Sequence, residues 1–222
     1  MPTKAREAIG ARGLFVMAIS GGHTPWMMLR ELADSGIPWP SAHIVQVDER
    51  MAPEGHMERN LTHIRENLLA HAPISPDQIY PMPVESEDLE AGVRRYAESL
   101  GQIAGEPPVL DLVHLGLGVD GHTASLVPDD PVLYVEHADV ALSGPYQGRR
   151  RMTLTCPIIN RARRILWVVT GGEKADMCRR LLAGYRSIPA GRIKRDRALV
   201  LADCAAAATA HSVIKGGETI CV

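Results

Sequence analysis

Along the 222-residue chain, short apolar runs alternate with segments whose apolar residues recur at helical spacing. The runs at residues 14–19, 44–47, 112–117, 152–155, 165–170 and 198–201 each predict a strand. Several are apolar at nearly every position, as strands covered on both faces should be. Between them, Leu61, Ile64 and Leu68 share one helical face, as do Leu89, Val93, Tyr96 and Leu100, and then Met177, Cys178, Leu181 and Leu182. Strands and helices in alternation predict an α/β fold with a mostly parallel central sheet on which the helices pack.

Four prolines interrupt the pattern at residues 72–84. The segments on either side depend on one another, so this stretch reads as a connector, and one domain spanning residues 1–222 is the simplest organisation. The alanine run 205–208 suits a tightly packed terminal helix.

Composition narrows the partners. The chain is 45% hydrophobic, enough for one core. With 24 basic and 26 acidic residues, its formal net charge of -2 supplies no global field toward nucleic acid or an anionic membrane. An anionic ligand must therefore be held by a local site. Cys156, Cys178, Cys204 and Cys221 form no Cys-x-x-Cys pair and are expected to be reduced, buried thiols. No apolar run approaches the roughly 20 residues that span a bilayer. The first, 14–19, is short for a signal-peptide core and reads as a core strand of a cytoplasmic protein.

Four segments at strand ends could carry chemistry. Ser20-Gly21-Gly22-His23-Thr24-Pro25 joins a predicted strand to a predicted helix, with Thr24 suited to the N-cap and Pro25 to the first helical position. Two glycines allow close backbone approach, and the free N–H groups of the helix start face outward with the positive end of the dipole. The segment is either a phosphate cradle or an ordinary strand-to-helix turn. Asp48-Glu49-Arg50 follows the strand at 44–47, at the end where open α/β sheets bind ligands. Arg50 offers a bidentate fork for phosphate or carboxylate, against the alternative of a solvated charged rim. Asn60, downstream, reads locally as a helix cap.

Residues 116–125, Gly-Leu-Gly-Val-Asp-Gly-His-Thr-Ala-Ser, contain the pattern Gly-x-Gly-x-x-Gly. A dinucleotide turn should open a helix of several turns, and Pro128 with Asp129-Asp130-Pro131 allows only a turn or two. What remains is a glycine-rich loop holding Asp120 near His122. An imidazole there is either structural or a base able to take a proton from water, with the carboxylate orienting it or stabilising its charged form. In Thr170-Gly171-Gly172-Glu173-Lys174, a lysine at a helix start opposes the dipole, a cost that an anion would offset. Its alternative is a lysine turned into solvent. Arg149, Arg150 and Arg151 precede a predicted strand, and at least two are expected in solvent, with one turned toward the site. The nine histidines show no metalloprotease-type pairing, so no metal is expected.

Taken together, these segments resemble the glucosamine-6-phosphate isomerase and deaminase superfamily and, within it, the 6-phosphogluconolactonases. The resemblance rests on Ser20-Gly21-Gly22 with Thr24-Pro25, Asp48-Glu49-Arg50 with Asn60, residues 116–125, Arg151 with Thr153-Leu154-Thr155 and Ile159-Asn160, and Gly171 with Lys174. Their order and spacing match over nearly the whole chain, and the segment from Asp120 to Ser125 separates the lactonases from their deaminase relatives. His23 departs from the pattern, which commonly has serine there. The resemblance implies a Rossmann-like three-layer α/β/α sandwich and no cofactor. It implies that His122 activates water with Asp120 assisting. Ser20, Gly21, Gly22 and Lys174 would bind a 6-phosphate, and Arg50 the phosphate or sugar acid. His23, Thr24, Asn60, Gly121 and Arg151 complete the expected substrate-binding set. The expected ligand is a phosphosugar lactone, and the expected state a monomer or weak homo-oligomer. Two other readings share the phosphate loop: an isomerase or deaminase of amino-sugar phosphates, and a non-catalytic sugar-phosphate sensor. The loop at 116–125 disfavours the first, and Asp120 with His122 the second. No Gly-x-Ser-x-Gly elbow is present to suggest a serine hydrolase.

Overall fold

Phe15, Met17 and Ile19 point to one side of their strand, Val16 and Ala18 to the other, and all five are buried. Apolar cover on both faces is what a parallel sheet with helices on each side requires. The computed structural model describes residues 1–209 and 219–221, with the side chains of residues 23–25 and 219–221 outside that description. In chain order its elements are α1 (Pro2–Arg12), β1 (Phe15–Ile19), α2 (His23–Ala33), β2 (Ala42–Gln46), β3 (Asp48–Arg50), α3 (Asn60–Ile64), β4 (Ile79–Tyr80), α4 (Leu89–Ala104) and β5 (Leu112–Leu115). Then come β6 (Val140–Tyr146), β7 (Arg149–Leu154), α5 (Cys156–Arg161), β8 (Ile165–Val169), α6 (Ala175–Ala183), β9 (Ala198–Ala202) and β10 (Thr219–Cys221).

Seven strands form a sheet in the order β10-β9-β8-β5-β1-β2-β4, and every pairing in it is parallel. One face packs Phe15, Met17, Ile19 and Ile44 against Ala5 and Ala8 of α1, Leu29 and Leu32 of α2, and Ile64 of α3. The other packs Val16, Val113, Leu115 and Trp167 against Tyr96 and Leu100 of α4, Ile158 of α5, and Cys178 and Leu181 of α6. The Rossmann-like three-layer α/β/α architecture expected from the sequence is therefore the observed one. Among the described residues no helix is long and apolar enough to cross a membrane.

Five differences from the sequence reading have physical causes. The strand expected at 152–155 is β7, which lies outside the parallel sheet. It pairs antiparallel with β3 and β6 in a second, three-stranded sheet. Val47 joins the two sheets: its N–H donates to Ile19 O at 3.0 Å, and its carbonyl accepts from Leu154 N at 2.8 Å. The proline-rich connector supplies β4, an edge strand, which is where proline is tolerated. Residues 205–208 lie in successive turns rather than an α-helix, and Asp203 accepts Ala206 N at 2.7 Å as their cap. Cys178 is buried as expected, but Cys156 is only half-buried and Cys204 is exposed. Finally, α2 begins at His23 with Gly22 as its N-cap, so the cap falls two residues before Thr24.

Candidate active site

Strands β1, β2, β5 and β8 run parallel, so their C-terminal ends share one edge of the sheet. The four segments singled out from sequence all emerge along this edge. Ser20, Gly21, Gly22, Asp48, Arg50, Gly118, His122, Arg151 and Lys174 line one cavity there of about 360 Å³. Thus Ser20, Gly21, Gly22, Arg50, His122, Arg151 and Lys174, far apart in sequence, come together. The side chains of His23 and Thr24 lie outside the described residues. Asn60 and Gly121 stand behind the cavity wall.

Gly21 and Asn60 meet back to back. A Cβ on Gly21 would lie 1.9 Å from Asn60 Oδ1, so only glycine lets the β1–α2 turn approach α3 this closely. Asn60 is not a helix cap. It occupies the first turn of α3, and its amide Nδ2 donates to Asp48 O at 2.9 Å and Asp48 Oδ1 at 3.2 Å. Glu49 does the capping instead. Fully buried, it accepts from the backbone N–H groups of Asn60 at 2.8 Å and Leu61 at 2.9 Å, satisfying donors that a helix start leaves open. Asp48-Glu49-Arg50 is therefore no solvated rim: Asp48 and Glu49 are buried and Arg50 is half-buried.

The glycine-rich loop after β5 is fixed by its own polar residues. Thr123 Oγ1 donates to Gly116 O at 2.9 Å, Ser125 Oγ to Asp48 Oδ2 at 2.7 Å, and Gly118 N to His122 O at 2.9 Å. No long helix follows it, as Pro128 and Pro131 foretell. A Cβ on Gly118 would sit 2.1 Å from His122 Nδ1, so glycine there makes room for the imidazole. Gly121 packs on Ile188, where a Cβ would come within 2.7 Å.

Within this loop His122 Nδ1 and Asp120 Oδ1 are 2.6 Å apart, and His122 N also donates to Asp120 Oδ1 at 3.1 Å. Burial favours the neutral acid of Asp120. The hydrogen bond and charge of His122 outweigh it, with a further hydrogen bond from Tyr146, and hold the carboxyl well below the usual range. Tyr146, which sequence reasoning missed, donates its hydroxyl to Asp120 Oδ2 at 2.9 Å.

Three cations line the same cavity. Arg50 and Arg151 are direct cross-strand partners in the second sheet, and Lys174 ends the turn that leads into α6. Among the described residues no carboxylate pairs with Lys174. The buried Nε atoms of Arg50 and Arg151 and the buried Ser20 Oγ have no hydrogen-bond partner there either. Like charges directly opposite one another are unfavourable, and burial lowers the pKa of Arg151 further, with Asp48 opposing. A multiply charged anion would offset both costs. The run Arg149-Arg150-Arg151 divides as expected, although it lies within β7 rather than before it. Arg150 is exposed, Arg149 pairs at the surface with Glu58 at 2.7 Å, and Arg151 is buried against the cavity.

A carboxylate-paired imidazole thus shares one cavity with Arg50, Arg151 and Lys174. Comparison of the chain with known proteins shows its family. The profile of the family described as glucosamine-6-phosphate isomerases/6-phosphogluconolactonase matches residues 1–201. A 6-phosphogluconolactonase of Synechocystis is 38% identical over 176 residues, 78% of this chain and 73% of that protein. One from Mycobacterium tuberculosis is 37% identical over 215 residues, 90% of this chain and 87% of that protein. The crystal structure of 6-phosphogluconolactonase from Thermotoga maritima superposes with a TM-score of 0.80 at 25% identity, covering 90% of this chain and 89% of that one. The chain belongs to the glucosamine-6-phosphate isomerase/6-phosphogluconolactonase family.

Proposed function

We propose that the protein hydrolyses 6-phospho-D-glucono-1,5-lactone to 6-phospho-D-gluconate, the lactonase step of the oxidative pentose phosphate pathway. The observation that carries this reading is the 2.6 Å contact between His122 Nδ1 and Asp120 Oδ1, on a cavity also lined by Arg50, Arg151 and Lys174. The wall of cations, with the amides of the Ser20-Gly21-Gly22 turn, holds the 6-phosphate at the start of α2. That contact positions the lactone carbonyl near His122, and positioning alone lowers the barrier substantially.

His122 Nε2 takes a proton from water as the water oxygen bonds to C1, giving a tetrahedral intermediate. The C1–O5 bond then breaks, and the imidazolium returns its proton to O5, leaving the open-chain acid, which ionises to gluconate. Asp120 stabilises the imidazolium between the two steps. A δ-lactone is an activated ester, so base catalysis worth about 10²- to 10⁴-fold is enough, with no covalent intermediate. The lactonase reading extends to one folding unit over residues 1–222, since the two cores share one sheet. It also extends to a cytoplasmic monomer or weak homo-oligomer.

The test uses freshly generated 6-phosphogluconolactone, coupled oxidation of the product and correction for spontaneous opening. Wild type is expected to add a catalysed rate that His122→Ala loses while still binding 6-phosphogluconate. Equal turnover in the variant would overturn His122 as the base. Ammonia release from glucosamine 6-phosphate without lactone hydrolysis would move the assignment to the deaminase side of the family.

A further inference from the structure

We infer that Tyr146 is a positioning residue for the hydrolysis: its hydroxyl fixes Asp120 so that His122 keeps its proton on Nδ1 and presents Nε2 as the base. The inference rests on the lactonase reading above. Tyr146 ends β6, and Gln147 (φ 53°) with Gly148 (φ 79°) turns the chain into β7 through a two-residue hairpin with both central residues left-handed. This tip hangs over the loop after β5. Arg151, two residues into the returning strand past Arg149, lies 5.0 Å from the Tyr146 ring centroid and donates from Nη2 to Tyr146 O at 3.3 Å. The ring thus contacts both an arginine of the cavity and the imidazole, whose centroid is 5.2 Å away, edge to face.

The hydroxyl carries one proton and has two neighbours, Asp120 Oδ2 at 2.9 Å and His122 Nδ1 at 3.3 Å. A proton must lie between His122 Nδ1 and Asp120 Oδ1, because two lone pairs do not approach to 2.6 Å. Asp120 is held ionised, so that proton sits on Nδ1 and the Tyr146 proton goes to Oδ2. Each carboxylate oxygen then has its own donor, and with Oδ2 held by Tyr146 the other oxygen stays aimed at Nδ1, so the other tautomer would leave the Nδ1–Oδ1 contact without a proton. An outer hydrogen bond that fixes a histidine tautomer in this way is a recurrent device at catalytic and metal sites.

The hydroxyl has a second effect. By taking part of the Asp120 charge it weakens the pull of the carboxylate on a proton at Nε2. The other charged groups facing the couple are Asp48 and Arg50 from β3, Arg151 from β7 and Lys174 before α6. Tyr146→Phe leaves all four in place, together with the ring over which Arg151 lies, and removes only the hydroxyl.

The decisive measurement is therefore Tyr146→Phe against wild type, read in two ways. In the lactonase assay kcat at pH 7 is expected to fall about tenfold, as for loss of a hydrogen bond to a charged group. KM should stay within about twofold, and the acid limb of the kcat profile should move to higher pH. In the free protein, ring ¹⁵N shifts should show His122 as the Nδ1–H tautomer in wild type and a mixture in the variant. A wild-type kcat with an unmoved acid limb would overturn the inference, and so would a change confined to KM, which would make Tyr146 a substrate contact. If wild type showed no lactonase activity the reaction assignment would fall, and the ¹⁵N spectra would decide the tautomer by themselves: a pure Nδ1–H form in Tyr146→Phe overturns it.

Discussion

Glu49 and Arg59 form an ion pair inside the protein, Oε2 to Nε 3.1 Å, with both side chains buried. The pair ties β3, which supplies Asp48 and Arg50 to the cavity, to the start of α3 behind it. Glu49 also accepts from Gln46 Nε2 and Arg50 N, each at 2.8 Å, besides the two α3 amides. Every neighbour of its carboxylate is a donor. An amide in its place would aim its own N–H groups at donors and leave Arg59 charged without a partner. Breaking one side of a buried pair typically costs about 3 to 5 kcal/mol. Glu49→Gln should therefore lower the unfolding free energy by that amount, read as a lower urea midpoint with an unchanged slope, and an unmoved midpoint would show that the pair is not needed for stability.

The contact between Gly21 and Asn60 leads to a graded expectation. Gly21→Ala places a Cβ 1.9 Å from Asn60 Oδ1 and 2.8 Å from Asn60 Cβ, forcing the β1–α2 turn away from α3. Overpacking of this kind costs about 1 to 3 kcal/mol. Because Gly21 lines the cavity, the displacement should also raise KM for the phosphorylated lactone. Adding Asn60→Ala removes the amide but keeps the Cβ, so it should recover KM only in part, and Asn60→Gly should recover more. KM across the three variants checks the order, and equal values would sever the link between the two loops.

Much of this was legible beforehand. Strands buried on both faces, such as β1 and β8, announce themselves by continuous apolar runs, and the glycine-rich turns mark where they end. The second sheet was not legible. Its strand β3 is Asp-Glu-Arg, and β7 begins with three arginines, so neither start looks like a strand until Asp48 and Glu49 are seen to be buried and Arg151 to line the cavity. Glu49 shows the reason most plainly. A buried acid and a surface acid look alike until Arg59, ten residues on, is placed beside it. Tyr146 was hidden for the same reason, since its partners at 120 and 122 are set by the hairpin turn and not by spacing. The Gly-Gly of the first motif pointed to phosphate, while the need for glycine at 21 came from Asn60.

His114 lies on β5 with both ring nitrogens buried and, among the described residues, without a hydrogen-bond partner. Burial lowers its pKa from 6.5 to about 4. The unfolded chain therefore binds a proton between these values that the folded chain does not, and folding stability falls with pH across that window. The contribution is intact above pH 6.5 and should be reduced by about 2 kcal/mol at pH 5 relative to pH 7. In His114→Leu that part of the pH dependence should vanish. Urea denaturation at the two pH values measures it, and an identical pH difference in variant and wild type would mean that other groups govern acid unfolding.

Lys174 offers the cleanest separation of binding from chemistry. It borders the cavity at the turn before α6 and takes no part in the hydrogen bonds that join Asp120, His122 and Tyr146, so its removal should weaken the hold on phosphate without touching the proton transfer. A hydrogen bond to a charged group is worth about 1.5 to 3 kcal/mol, or roughly tenfold to a hundredfold. Lys174→Ala should raise KM for 6-phosphogluconolactone by that factor and leave kcat nearly unchanged, the signature of lost uniform binding. With unphosphorylated gluconolactone, whose binding cannot use the ammonium, kcat/KM should be the same in variant and wild type. An equal loss on both lactones would place Lys174 at the reacting carbonyl and require the phosphate to sit elsewhere, between Arg50 and Arg151.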